Sequence, residues 1–117
     1  MRSGEIYWME VKSLDGDGMK NRPVVLVSTK EEIAKGGDVL VVACSTNDQF
    51  TKNDDRVELP YRRGEVRPST RLQYKTWAIP RWYLPVAADK LAELHPHGYL
   101  KNPRLTNVLE AVLNRIA

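Results

Sequence analysis

The sequence predicts a mainly β domain with some helix: a small, strongly curved, barrel-like antiparallel sheet of the SH3-like kind, carrying a C-terminal helix. Three observations lead there. Two runs, "VVLV" and "VLVVAC", contain no polar residue, so they need cover on both faces, which a small closed barrel or a helix-covered sheet provides. Strand-like segments follow one another through short connections, as antiparallel pairing permits. Sustained helical periodicity is confined to the end of the chain. At 117 residues, 42% hydrophobic and 28% charged, the chain is read as one folded domain spanning 1–117.

"GEIYWMEV" alternates as a strand, with Ile6, Trp8 and Glu10 on one face and Tyr7, Met9 and Val11 on the other. "KSLDGDGMKN" has the glycines and aspartates of a loop. In "RPVVLVS", Pro23 offers no N–H, so it is expected at the first position of its strand or on an unpaired edge. "TKEEIAKGGD" separates it from "VLVVACS"; the polar "TNDQFTKNDD" follows, then a short strand in "RVELP". "STRLQYKTWAIPRWYLPV" resumes extended character, with bends or edge positions expected at Pro80 and Pro85. A short helix is expected over 87–94, ended by "HPHG". Asn102 can then cap a longer helix with Pro103 at its first position. Leu105, Val108, Leu109, Val112, Leu113 and Ile116 form its apolar stripe, expected to pack on the sheet.

Composition narrows the function. No apolar run approaches the roughly 20 residues that cross a bilayer, and "MRSGEIYWMEV" lacks the apolar segment of a signal peptide; a cytoplasmic protein without membrane partners is expected. A single cysteine, Cys44, cannot form an intramolecular disulfide, and within its apolar run it reads as an inert buried thiol. Net charge is +3, compatible with a polyanion without demanding one. "YRRGEVRPSTR", residues 61–71, carries four arginines against one glutamate and is either a phosphate-facing surface or a solvated loop.

Standard chemical motifs are missing. His95 and His97 flank a proline where a turn is expected, with no second ligand pair. "DGDG" starts like a calcium loop, but Lys20 takes the sixth position and Leu26 the twelfth, where glycine and glutamate are needed. Neither a phosphate-binding glycine loop nor a serine-hydrolase elbow occurs, so no metal and no cofactor are expected. Arginines, hydroxyls and aromatic rings remain.

"GEIYWMEV", a glycine-containing loop, "RPVVLVS" and "VLVVACST", taken in that order, resemble the MazF/PemK-type toxins of bacterial toxin–antitoxin systems. Gly4, Glu5, Ile6, Trp8, Arg22, Pro23, Ser28, Ser45 and Thr46 match the family pattern in order and spacing, and the terminal helix agrees in position. The resemblance implies a PemK-like barrel, usually a homodimer, acting as a metal-independent endoribonuclease (an mRNA interferase) on single-stranded RNA. It puts the catalytic arginine at Arg22, the catalytic hydroxyl at Ser45 and the accompanying acid at Asp17. It also implies a cognate antitoxin whose acidic, flexible tail competes with RNA. Two positions depart from the pattern: Lys20 stands where glycine is frequent, and Ser45 replaces threonine.

RNA supplies its own nucleophile, the 2′-hydroxyl, so no metal is required, and the expected products are 2′,3′-cyclic phosphate and 5′-hydroxyl ends. A planar guanidinium such as Arg22 suits the charge that builds on the phosphate oxygens, and a strand end would hold it rigidly. Expected RNA contacts are Lys20 and Thr46 near the pair, Asn47 and Gln49 for base edges, and Arg62, Arg63 and Arg67 for the backbone. Trp77, with Trp82 and Tyr61, is a candidate for base stacking, against the alternative that Trp8, Trp77 and Trp82 are core. Two other functions stay open: a toxin of the same fold that binds a protein such as DNA gyrase, as CcdB-type toxins do, and a silent RNA-binding barrel.

Overall fold

The structure is a computed structural model describing residues 1–14, 16, 18–46 and 56–116. Six strands make one antiparallel sheet: β1 (Glu5–Lys12), β2 (Met19–Leu26), β3 (Asp38–Ser45), β4 (Val57–Leu59), β5 (Thr76–Ala87) and β6 (Gly98–Tyr99). Their order is β4-β5-β3-β2-β1-β6, and the sheet curls into a half-barrel. Three helices complete it: α1 (Lys30–Ala34), α2 (Ala88–Ala92) and α3 (Arg104–Ile116). Among the described residues no helix is long and apolar enough to cross a membrane.

The unbroken apolar runs are explained by a core on each face. Val24, Leu26, Val41 and Ala43 point to one side with Tyr7, Val11, Trp77, Trp82 and Leu91 of α2. Val25, Val27, Val42 and Cys44 point to the other with Ile6, Leu59, Leu72, Val108 and Val112, the last two from α3. Alternation along β2 and β3 therefore divides apolar residues between two covers, as a helix-covered sheet requires.

Several expectations change. Pro23 lies inside β2, opposite Trp8 of β1, rather than at the strand's start. It is tolerated because the β2–β3 ladder begins only at Val24↔Ala43, leaving Pro23 paired on one side alone. Pro80 and Pro85 take the bend and edge positions expected of them, since the ladder of β5 with β4 covers only Thr76–Ala78 and the rest of β5 pairs with β3 alone. There, two steps along β3 from Val42 to Cys44 face five along β5 from Tyr83 back to Ala78. This bulge absorbs Pro80 and brings both Trp77 and Trp82 to the same core. Five residues apart in a regular strand, the two indoles would point to opposite faces.

α1 was not foreseen, although its signal is present: Thr29 accepts from Glu32 N at 3.2 Å while the Glu32 carboxylate accepts from Thr29 N at 2.9 Å, a reciprocal capping box. Those bonds hold the Glu32 carboxyl below its ordinary range, the backbone bond to Thr29 foremost. At the other end, Asn102 Oδ1 accepts from Thr106 N, so the expected cap is present, with helix geometry beginning at Arg104. The α3 stripe is buried only in part, since Leu113 and Ile116 are each 51% exposed.

Tyr7 lies under this sheet with its hydroxyl bonded to Glu5. Burial first, then the Glu5 charge and that bond, push its phenol from 10.0 up to about 12. An acid whose folded value is raised stabilises the fold below its unfolded value and loses that contribution as pH climbs through the folded one. The wild type should therefore lose stability between pH 10 and about 12, and Tyr7→Phe should flatten that decline in chemical denaturation. Parallel pH profiles for the two proteins would contradict this.

Candidate functional site

β2 carries Arg22 opposite Met9 of β1, two residues beyond the point where its ladder with β3 stops. Alternation puts Arg22 on the same face as Val24 and Leu26, the side covered by α2. On β3, Ser45 follows Val41 and Ala43 onto this same face. The printed pairing of β2 with β3 ends at Val24↔Ala43, so the two residues share a face of the sheet beyond the end of that ladder, and the strand partner of Ser45 is Trp77 of β5.

The Arg22 guanidinium carbon lies 4.8 Å from the centre of the Trp82 ring. Trp82 is only 6% exposed, so the stack is largely dry and worth about 2 kcal/mol. Arg22 itself is half-buried, and its Nε is a buried donor with no hydrogen-bond partner among the described residues. No described carboxylate pairs with it. An arginine stacked on an indole, with no described carboxylate beside it, is a donor set prepared for an anion. Trp77 stands directly across from Ser45, with Arg56 4.9 Å and Lys75 Nζ 5.5 Å from its ring centre. Lys20, exposed, shares the Arg22 face of β2. Positive charge thus gathers around two buried indoles.

Other candidates fall elsewhere. Ser45, expected as the catalytic hydroxyl, is only 2% exposed, with Trp77 at its side. Trp77, buried beneath its two cations, has no free face for a base. Thr46 is exposed but turns away from Arg22, into a small apolar notch on the opposite face. Asp17, Asn47 and Gln49 lie outside the described residues. Arg63 is engaged by Glu58 at 3.8 Å and lies over the Tyr61 ring, while Arg62 and Arg67 line a cavity in the β4–β5 loop.

Two features were missed from sequence. Trp8, a core candidate, is 42% exposed and borders that notch with Tyr74 and His97. Arg71 joins Arg62 and Arg67 in the loop cavity. The signal for Trp8 was its place on the Glu10 face of β1, beside Pro23, where the sheet lacks a full ladder.

Histidine and cysteine are placed for structure. Among the described residues no three His, Cys, Asp or Glu side chains gather to hold a metal. His97 contacts the Arg71 carbonyl at 2.9 Å and meets Trp8 edge-on, a turn-pinning role. Complete burial pushes the Cys44 thiol up, away from reactivity.

With this geometry in place, the comparison with protein families is decisive. The model of the PemK-like, MazF-like toxins of type II toxin–antitoxin systems matches residues 2–114. The chain belongs to the PemK/MazF-like toxin family. A chain of the MazE–MazF crystal structure (form III) from Deinococcus radiodurans shares the fold, with a TM-score of 0.65 at 9% identity. The likeness covers 99% of this chain and 95% of that one. No curated protein matches by sequence. For a PemK/MazF-like toxin, then, the fold has been kept while nearly every residue changed, and residues such as Trp82 have to be understood from their own contacts.

Proposed function

We propose that this toxin is a metal-independent, sequence-specific endoribonuclease that cleaves single-stranded RNA into 2′,3′-cyclic phosphate and 5′-hydroxyl ends. The observation that carries the reading is Arg22: stacked on Trp82, unpaired with any described carboxylate, and holding an unfilled buried Nε donor. In the reaction the substrate's 2′-oxygen bonds to phosphorus, the bond from phosphorus to the 5′-oxygen breaks, and negative charge grows on the non-bridging oxygens. Arg22 donates to those oxygens. It stays charged at neutral pH, so it supplies electrostatic stabilisation and is not the base.

Ser45 takes a role set by its burial. Sealed beside Trp77 on the face that carries Arg22, it supports the site from beneath rather than meeting RNA first. Lys20, exposed on the Arg22 side of β2, draws in the phosphodiester. An antitoxin with an acidic tail fits the same positive surface and would compete with RNA there. The toxin is proposed to work as a homodimer, which a monomeric mass by light scattering at micromolar concentration would contradict.

The decisive experiment maps cut ends on a long RNA in EDTA. Cleavage at recurring short sequences, with cyclic phosphate on one side of each cut and 5′-hydroxyl on the other, is expected. Cleavage abolished by chelation, or 5′-phosphate ends, would refute the mechanism. Trp82 gives a finer check as a positioning residue. Trp82→Leu should lower kcat about tenfold with little change in KM, the loss of roughly one desolvated cation–π contact. Trp82→Phe should recover most of the rate, because a ring face is restored. Equal losses in both variants would mean that Trp82 serves the core alone.

A further inference from the structure

We propose that the β4–β5 loop forms a second phosphate-binding site, which holds a backbone phosphate of single-stranded RNA beyond the Arg22 pair; this rests on the ribonuclease reading and adds the path of the strand. The site is a cavity of about 500 Å³ whose charged lining is Arg62, Arg67 and Arg71, with no carboxylate. Arg62 Nε donates to Gly64 O at 3.0 Å, which fixes that side chain at one end. Arg67 and Arg71 make no ion pair or side-chain hydrogen bond among the described residues. Three like charges around one cavity, with no described counter-charge in its lining, call for an anion between them.

The loop beneath is built to hold that arrangement. Arg71 sits at φ 57°, the one described non-glycine residue in the left-handed region, a conformation disfavoured for residues with a Cβ. It is pinned on either side. Thr70, fully buried, donates from Oγ1 to Pro60 O at 2.6 Å, and buried Leu72 accepts from Arg62 N at 2.8 Å. The Arg71 carbonyl meets His97 Nε2 at 2.9 Å, and its N–H donates to Pro68 O at 3.0 Å. A merely solvated loop has no need of a strained residue clamped between two buried ones.

The occupant follows from what adjoins the cavity. Leu72 and Gln73 line it and also line the apolar notch of about 150 Å³ that reaches Pro23 and Thr46. Pro23, next to Arg22 in β2, faces the other side of the sheet from it, so the notch continues the arginine cavity on that side. Beside the three arginines lies an apolar floor bordered by Trp8, Tyr74 and His97, all rings on which a base can stack. A free anion would use only the arginines. A nucleic-acid strand uses the arginines and the neighbouring rings together.

The test uses a single-stranded 2′-O-methyl oligonucleotide, which cannot be cleaved because its 2′-oxygen is blocked. Binding is followed by fluorescence anisotropy across a salt series for the wild type, Arg67→Gln and Arg71→Asn, the latter chosen because asparagine tolerates the left-handed backbone. The double variant should bind about tenfold more weakly and lose about 0.7 from the slope of log K against log salt, one phosphate's share for a single strand. On cleavable RNA its KM should rise with kcat kept. Unchanged affinity and slope, or a loss confined to kcat, would overturn the proposal. Should Arg71→Asn fold poorly, Arg67→Gln, at an unstrained position, carries the test with a proportionate loss. Inorganic phosphate, followed through the arginine Nε–H signals of Arg67 and Arg71, separates the two readings. If the wild type cuts no RNA while phosphate still moves those signals and the variants still bind the oligonucleotide more weakly, the nuclease reading fails and the site stands.

Discussion

Arg22→Ala is expected to slow RNA cleavage by about 10²–10³-fold, the cost of removing a preorganised donor from a developing oxyanion, about 3–4 kcal/mol of transition-state stabilisation. The fold should survive, because Arg22 is half-buried, makes no described ion pair, and leaves behind an indole face that needs no polar partner. Arg22→Lys tests what kind of donor is needed. It keeps the charge but has no planar group to lie on Trp82 and no fork to grip two oxygens, so it should recover little of the lost rate. Far-ultraviolet circular dichroism and a thermal melt on the same samples would show that both variants are folded. An alanine variant cutting within about threefold of the wild type would remove Arg22 from the chemistry. A lysine variant at full activity would reduce its role to that of a point charge.

This expectation depends on a relation that the sequence hinted at but could not display. The unbroken apolar runs in "RPVVLVS" and "VLVVACS" were legible, and from them the two-faced core of the sheet. The Arg22 and Ser45 positions were marked by strand ends, and strand order then set them on one face. The partner of Arg22 was not legible. Trp82 reaches it only through the β5 bulge, and a three-residue change of register between two strands leaves no trace in local periodicity beyond Pro80. Burial was equally hidden: a serine at a strand end reads as accessible, yet a tryptophan across the sheet closes over it. The arginine-rich loop was visible as composition. Its convergence on one cavity depends on the left-handed backbone at Arg71, which an arginine code letter does not announce.

Gly98→Ala should cost about 3 kcal/mol, the scale of forced overpacking, and lower Tm by roughly 10–15 °C in a chain of this size. The reason is close backbone approach. Gly98, in β6, pairs with Ile6 of β1 while passing over the loop that carries Thr70. A Cβ there would lie 2.6 Å from Ser69 O and closer still to the Thr70 carbonyl, both of them backbone atoms that cannot swing aside like the end of a flexible side chain. The crossing is also tied by Tyr99 N donating to Ser69 O at 3.0 Å and Ser69 Oγ donating to Tyr99 O at 3.1 Å. Relief requires either β6 to leave β1 or the 68–72 segment to move, and in the second case Arg71 leaves its cavity. The two routes differ in their readout. Detachment of β6 lowers stability alone, whereas movement of the loop also weakens oligonucleotide binding as Arg67→Gln does. A wild-type melting temperature in Gly98→Ala would show that the strand and the loop are not packed as closely as this geometry requires. By contrast, an added side chain at Gly64 meets nothing within 4 Å, so its effect is limited to the positive φ of 60° and should be much smaller.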